Sequence, residues 1–207
     1  MIKPLLLMFE PAERWEAVSR TRPALTSVLL FFVLPWLLIA AAGEGYGLIH
    51  WGKWQAIGGL RKFPLKEVLI IEAAQLILAL LVVFIGANMV KAIGETIRGR
   101  HTYSDAFTAV AYGLGPLYVM RLLDAFSGIN LWVSWGIGIV LSITLLYHGI
   151  PRMIKPDPSH AFGLFFITVL LLMTFTGLIR YLTAEFLHGG FPKLNAIVTS
   201  SAERLPF

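Results

Sequence analysis

At 207 residues the chain has the length of one domain or a small pair. It is 57% hydrophobic and only 14% charged, with a mean hydropathy of +0.75, where a soluble domain carries about 25% charged residues. Seventeen basic and twelve acidic residues cannot cover a soluble protein of 23.0 kDa, and there is no cysteine. Disordered chains, soluble enzymes, disulfide scaffolds and thiolate metal sites are therefore excluded, and an integral membrane protein remains.

Residues 1–22 read as an amphipathic, interfacial segment, not a signal peptide, because Glu10, Glu13, Arg14 and Glu16 interrupt any apolar core. Ile2, Leu5, Leu6 and Phe9 can share one face. Pro11 suits the first turn of a short helix, with Glu10 and Glu13 at its positive end. That helix offers Trp15 and Val18 either to the membrane surface or to the rest of the protein.

Windows free of charge then mark the crossings. Arg22 and Glu44 bracket 21 uncharged residues, Glu72 and Lys91 bracket 18, Asp105 and Arg121 bracket 15, Asp124 and Arg152 bracket 27, and Asp157 and Arg180 bracket 22. A hydrocarbon core of about 30 Å needs about 20 residues. The expected fold is all-α: a polytopic bundle of five transmembrane helices over about 24–43, 67–93, 104–123, 129–150 and 159–184, preceded by the short interfacial helix. The transmembrane domain takes residues 23–187 and a tail takes 188–207. The third window is short, and a re-entrant segment competes with a full crossing there. A β-barrel is excluded because the windows are apolar throughout instead of alternating.

The basic residues divide almost evenly between the two sides. Arg20 and Arg22 directly precede the first span, and Lys91, Arg98 and Arg100 crowd one short loop. Positive charge close to span ends favours the cytoplasm, so the N-terminus is expected inside and the C-terminus outside. The connection at about 44–66 carries Trp51, Trp54 and Phe63, which suits a loop lying among headgroups; a lid over a cavity is the other reading.

Glu72, Gln75, Asn88, Arg121, Asp124, His148, Arg180 and Glu185 lie in or beside the spans. A charge at the bilayer centre costs about 2.5–3.5 kcal/mol on insertion scales. Five spans put Glu72, Arg121, Asp124 and Arg180 at one depth, which predicts an intramembrane polar network with Gln75 nearby, Glu72 pairing with Arg121 or Arg180. Such a network either pins the bundle or forms a polar vestibule. His101, His148 and His160 have no metal-ligand spacing, so no metal or other cofactor is expected.

Ser134, Gly138 and Ser142 recur every fourth residue, as do Ala109 with Gly113 and Ala111 with Gly115. Small faces of this kind permit close approach of the third and fourth helices, or of two copies of the chain. Gly113, Gly115 and Pro116 fall in mid-span, where the missing amide donor predicts a kink or break. Asp157 and Pro158 read as the cap and first residue of the fifth helix, with Pro151 and Pro156 stiffening the connection before it.

Three stretches carry a resemblance. Phe9-Glu10-Pro11 followed by Trp15 is one; Ala111-Tyr112-Gly113-Leu114-Gly115-Pro116 is the second; Leu145-Leu146-Tyr147-His148-Gly149-Ile150-Pro151, through Lys155-Pro156 and His160-Ala161-Phe162, is the third. In this order, over about residues 9–182, they resemble the Yip family of five-span membrane proteins, named for interaction with Ypt/Rab GTPases. The resemblance implies a helical Yip domain with a cytoplasmic N-terminus. The longer acidic N-terminal region of eukaryotic members is missing, so Rab-type GTPase binding is not carried over, and the compact form looks like the bacterial branch, in the inner membrane.

Three function classes can be weighed. A non-enzymatic bundle that organises the bilayer or binds partners, as a homo-oligomer or with other membrane proteins, draws on the small-residue faces and on Arg98 and Arg100, which suit anionic headgroups. A small oligomeric transporter or channel draws on Glu72, Arg121, Arg180 and the break at Pro116. An intramembrane enzyme finds no support: Ser127-Gly128 sits at a turn without a histidine partner, and Gly-x-Gly-Asp and phosphate-loop patterns are missing. The basic pI of about 9.6 fits membrane topology, and no nucleic-acid motif accompanies it.

Overall fold

The computed structural model describes residues 10–55, 59–97 and 99–204. The face formed by Ile2, Leu5, Leu6 and Phe9 lies outside the described residues, as does Arg98. Helix α1 (Pro11–Thr21) precedes α2 (Leu25–His50). A two-stranded hairpin, β1 (Lys53–Gln55) and β2 (Gly59–Arg61), leads to α3 (Leu65–Thr96). Helix α4 (Tyr103–Gly113) continues as α5 (Gly115–Met120) and a 3-10 turn, Arg121–Ala125. Helices α6 (Leu131–Ile154), α7 (Ala161–Leu187) and α8 (Pro192–Glu203) complete the order.

Five of these segments are long and apolar enough to cross a membrane: Leu25–His50, Leu65–Thr96, Tyr103–Ala125, Leu131–Ile154 and Ala161–Leu187. The third is 23 residues long, enough for a full crossing at 1.5 Å per residue. Its composition reflects its place. Of its most apolar stretch 67% is buried inside the protein, against 22% for α7. A helix surrounded by other helices has little lipid to face and needs fewer large apolar residues.

Local chemistry explains the irregularities. A π-turn at Leu29–Val33 lies just before Pro35, which lacks the amide that would close an α-turn. The third span divides at Leu114, ahead of Pro116. Thr102 starts α4 with a capping box: its hydroxyl accepts from the amide of Asp105 and its own amide donates to the Asp105 carboxylate at 2.9 Å. Gly113 lies against Leu146 and Gly138 against Leu117, so any larger side chain at either position would overlap the facing helix.

Three sequence expectations change. The first span does not stop before Glu44 but runs to His50 with Glu44 fully buried, because that carboxylate has a partner inside the protein. Phe63 does not face headgroups; it is buried with Leu48, Val68 and Leu131, under the guanidinium of Arg61 at 4.7 Å. Asp157 does not cap the fifth helix. Its carbonyl accepts from the amide of His160, closing a turn, and α7 begins at Ala161. Of the two readings left open for Trp15, packing on the protein holds: it is fully buried, its indole filling the notch that Gly149 leaves on α6.

Candidate functional site

Two ends of the bundle bring chemistry-bearing residues together. At the hairpin end, Glu44 lies six residues before the end of α2, Glu72 seven after the start of α3, and Arg180 seven before the end of α7. At 1.5 Å per residue all three sit roughly 10 Å below the helix ends. Arg121 and Asp124 enter the same level from the 3-10 turn that finishes the third span.

The charges form two linked groups. Arg121 donates through Nε to Glu44 Oε2 at 2.7 Å and through Nη2 to Glu72 Oε2. Arg180 donates through Nη2 to Asp124 Oδ1 at 2.6 Å and through Nε to the carbonyl of Leu131 at 2.8 Å. Ser134 accepts from Arg180 and donates to Asp124. Glu72 therefore meets Arg121, while Arg180 is taken by Asp124. Gly47 makes this possible, since a Cβ there would overlap the backbone of Ala125. Its absence lets α2 press on the 3-10 turn and carry Glu44 to Arg121.

A sixth ionisable group closes the site from the hairpin. Lys53 is 2% exposed, and its ammonium donates to the carbonyl of Phe126 at 3.1 Å. Burial pushes Lys53 below the ordinary lysine range, while nearby Asp124 and Glu44 act in the opposite direction. The hairpin is latched by Gln55, which donates to the carbonyl of Leu187, and by Arg61, paired with Glu67 at 2.9 Å. Thr199 of α8 donates to the other oxygen of Glu67 at 2.8 Å. Glu44 and Lys53 are the members that charge-free windows hide: one reads as the end of a span, the other as a loop residue.

Beside the charges lies a cavity of about 110 Å³. Gln75, Tyr118, Arg121, Asp124, Ser134 and Arg180 form its polar side; Leu37, Ala79, Val82 and Leu114 are among its apolar walls. Gln75 Nε2, the Tyr118 hydroxyl and Asp124 Oδ2 are buried without a hydrogen-bond partner among the described residues. Asn88 points outward, and His148 and Glu185 take no part in the cluster.

The opposite end is held by shape. Trp15 packs on Gly149 and lies 6.1 Å from the ring of Tyr112, which Phe32 meets edge-on at 4.8 Å. Trp15, Tyr112 and Gly149 come from three separate stretches singled out in the sequence, and they meet here. Arg22 lies 4.0 Å from Asp105. His101 contacts the carbonyl of Lys91 at 3.2 Å and His160 the hydroxyl of Ser159 at 2.9 Å. No group of three or more histidines and carboxylates gathers as a metal site among the described residues. Arg100 is exposed beyond this end.

A family profile described as the Yip1 domain matches residues 5–191. No curated protein and no solved structure matches the chain.

Proposed function

The chain belongs to the Yip1 domain family, and from that premise we propose that it is a non-enzymatic bundle that organises the bilayer or binds partner membrane proteins, including further copies of itself. It is an integral membrane protein with five apolar helices. We take its N-terminus to be cytoplasmic and its membrane to be the bacterial inner membrane, a reading supported by Arg20, Arg22, Lys91 and Arg100 near the span ends opposite the hairpin. Arg100 and Arg98 contact anionic headgroups in this reading.

The observation that supports a non-catalytic role is the mutual use of the embedded charges. Arg121 is taken up by two carboxylates and Arg180 by a third, so the network joins α2, α3, α6, α7 and the end of the third span. Charges engaged in this way hold helices in place. The cavity beside them favours a second reading, a small oligomeric transporter or channel using Glu72, Arg121 and Arg180.

Liposomes containing only this protein separate the two. The cysteine-free chain accepts single labels at introduced cysteines. Energy transfer between labelled copies should rise with protein density and saturate, without proton or sodium flux above protein-free liposomes. Flux that disappears in Glu72→Gln would put the transporter reading in its place. Absence of energy transfer at every density would remove self-association from the proposal.

A further inference from the structure

The cavity beside the charge cluster has an apolar interior, a polar end and a position within the spans. Its half-buried lining residues are Ala79, Leu117, Arg121, Trp135, Thr176 and Ile179, from α3, α5, the 3-10 turn, α6 and α7. All of them lie within segments long and apolar enough to cross a membrane, so an occupant would arrive from the bilayer.

The polar end specifies the chemistry. Charge does not select an ion: each charged side chain that lines the cavity is already paired, Arg121 with Glu44 and Glu72, and Arg180 with Asp124. Among the described residues Gln75 Nε2 is an amide donor that lacks an acceptor, Asp124 Oδ2 an acceptor that lacks a donor, and the Tyr118 hydroxyl can serve as either. Gln75, Tyr118 and Asp124 are 9%, 6% and 0% exposed, and leaving such groups unpaired in a low-dielectric interior is costly. An ammonium only donates and a carboxylate or ether only accepts. A hydroxyl does both. A cavity of about 110 Å³ is smaller than the roughly 150 Å³ that holds a benzene ring, which leaves space for a hydroxyl and its first few carbons.

We propose that this cavity is a lateral binding site for the hydroxyl end of a neutral single-chain amphiphile, an alcohol whose first carbons lie against Leu37, Ala79, Val82 and Leu114 while the remaining chain passes out between the helices into lipid. Gln75, Tyr118 and Asp124 receive the hydroxyl. The site is distinct from partner binding by the outer faces of the bundle.

The test uses the full chain in lipid nanodiscs with a ten-carbon alcohol bearing a mid-chain diazirine. Saturable photolabelling is expected on the peptides holding Leu117, Trp135 and Ile179. Unlabelled decanol should displace the probe and decane should not. Ala79→Phe fills the cavity and should lower labelling at least tenfold with helical content unchanged. If that variant does not insert, the paired substitution Gln75→Leu with Tyr118→Phe decides, since it keeps the volume and removes two hydrogen-bonding groups; displacement by decanol should weaken about tenfold. Labelling displaced equally by decane and decanol, labelling that does not saturate, or unchanged displacement in the paired variant would each overturn the proposal.

Discussion

The two ends of this bundle are closed by different physics. At the hairpin end, six ionisable groups from three helices, a 3-10 turn and a hairpin neutralise one another, and the helices are held by direction-dependent hydrogen bonds. At the other end an indole fills the notch over a glycine, and the contact is nearly all shape. The difference follows from what each end must join. Trp15 and Gly149 join one short helix to α6, and a single close fit is enough. The hairpin end gathers α2, α3, α6 and α7 around the finish of the third span, where one apolar contact cannot reach every member. Burial from water supplies no further drive once helices lie in lipid, so polar contacts gain relative weight there.

This contrast can be broken most severely at Arg180. Arg180→Leu strands Asp124 as a buried charge, and the expected loss is about 3–5 kcal/mol. Adding Asp124→Asn should restore most of it. Unfolding by dodecyl sulfate in mixed micelles measures both, and equal stability of the single and double variants would show that Asp124 does not depend on Arg180. At the opposite end, Gly149→Val should cost about 1–3 kcal/mol by overpacking Trp15. It should also speed tryptic cleavage after Arg20 as α1 detaches. Gly128→Ala is the control, because a Cβ there meets nothing.

A finer test concerns whether the hairpin end acts as one unit. Glu44 and Glu72 share Arg121. The losses from Glu44→Gln and Glu72→Gln should therefore fail to add, by on the order of 1 kcal/mol in a double-mutant cycle; strict additivity would mean two independent pairs. The smallest effect is expected at Lys53. Burial lowers its pKa from 10.5 in the folded protein, so between the folded value and 10.5 the unfolded chain binds more protons. Stability contributed by this group rises with pH across that alkaline window and is level below it. Lys53→Met should flatten the slope of stability against pH relative to the parent chain, and an unchanged slope would remove Lys53 from the titration.

How much of this is readable along the chain depends on the kind of quantity. Four of the crossings follow from hydropathy and rise per residue, and the third window is weak because the helix it marks is surrounded by protein. The break before Pro116 follows from a missing amide. The limits of α2 do not follow. Glu44 looks like the end of a span until Arg121, 77 residues later, is seen beside it. Gly149 gives no local sign that it is a seat for Trp15, since the notch exists only when α1 folds back on α6.

The amino-acid order by itself therefore pointed to a membrane-embedded, five-helix Yip-type bundle and to a common depth for Glu72, Arg121, Asp124 and Arg180, because both depend on distance counted along helices of known rise. Only the tertiary structure decided that Arg121 serves Glu44 and Glu72, that Arg180 serves Asp124, and that a cavity opens next to them. Those choices depend on how each helix is rotated and how closely it approaches its neighbours. Rotation and approach are set by small residues such as Gly47, Gly113 and Gly138 acting across helices, where no count along one segment can see them.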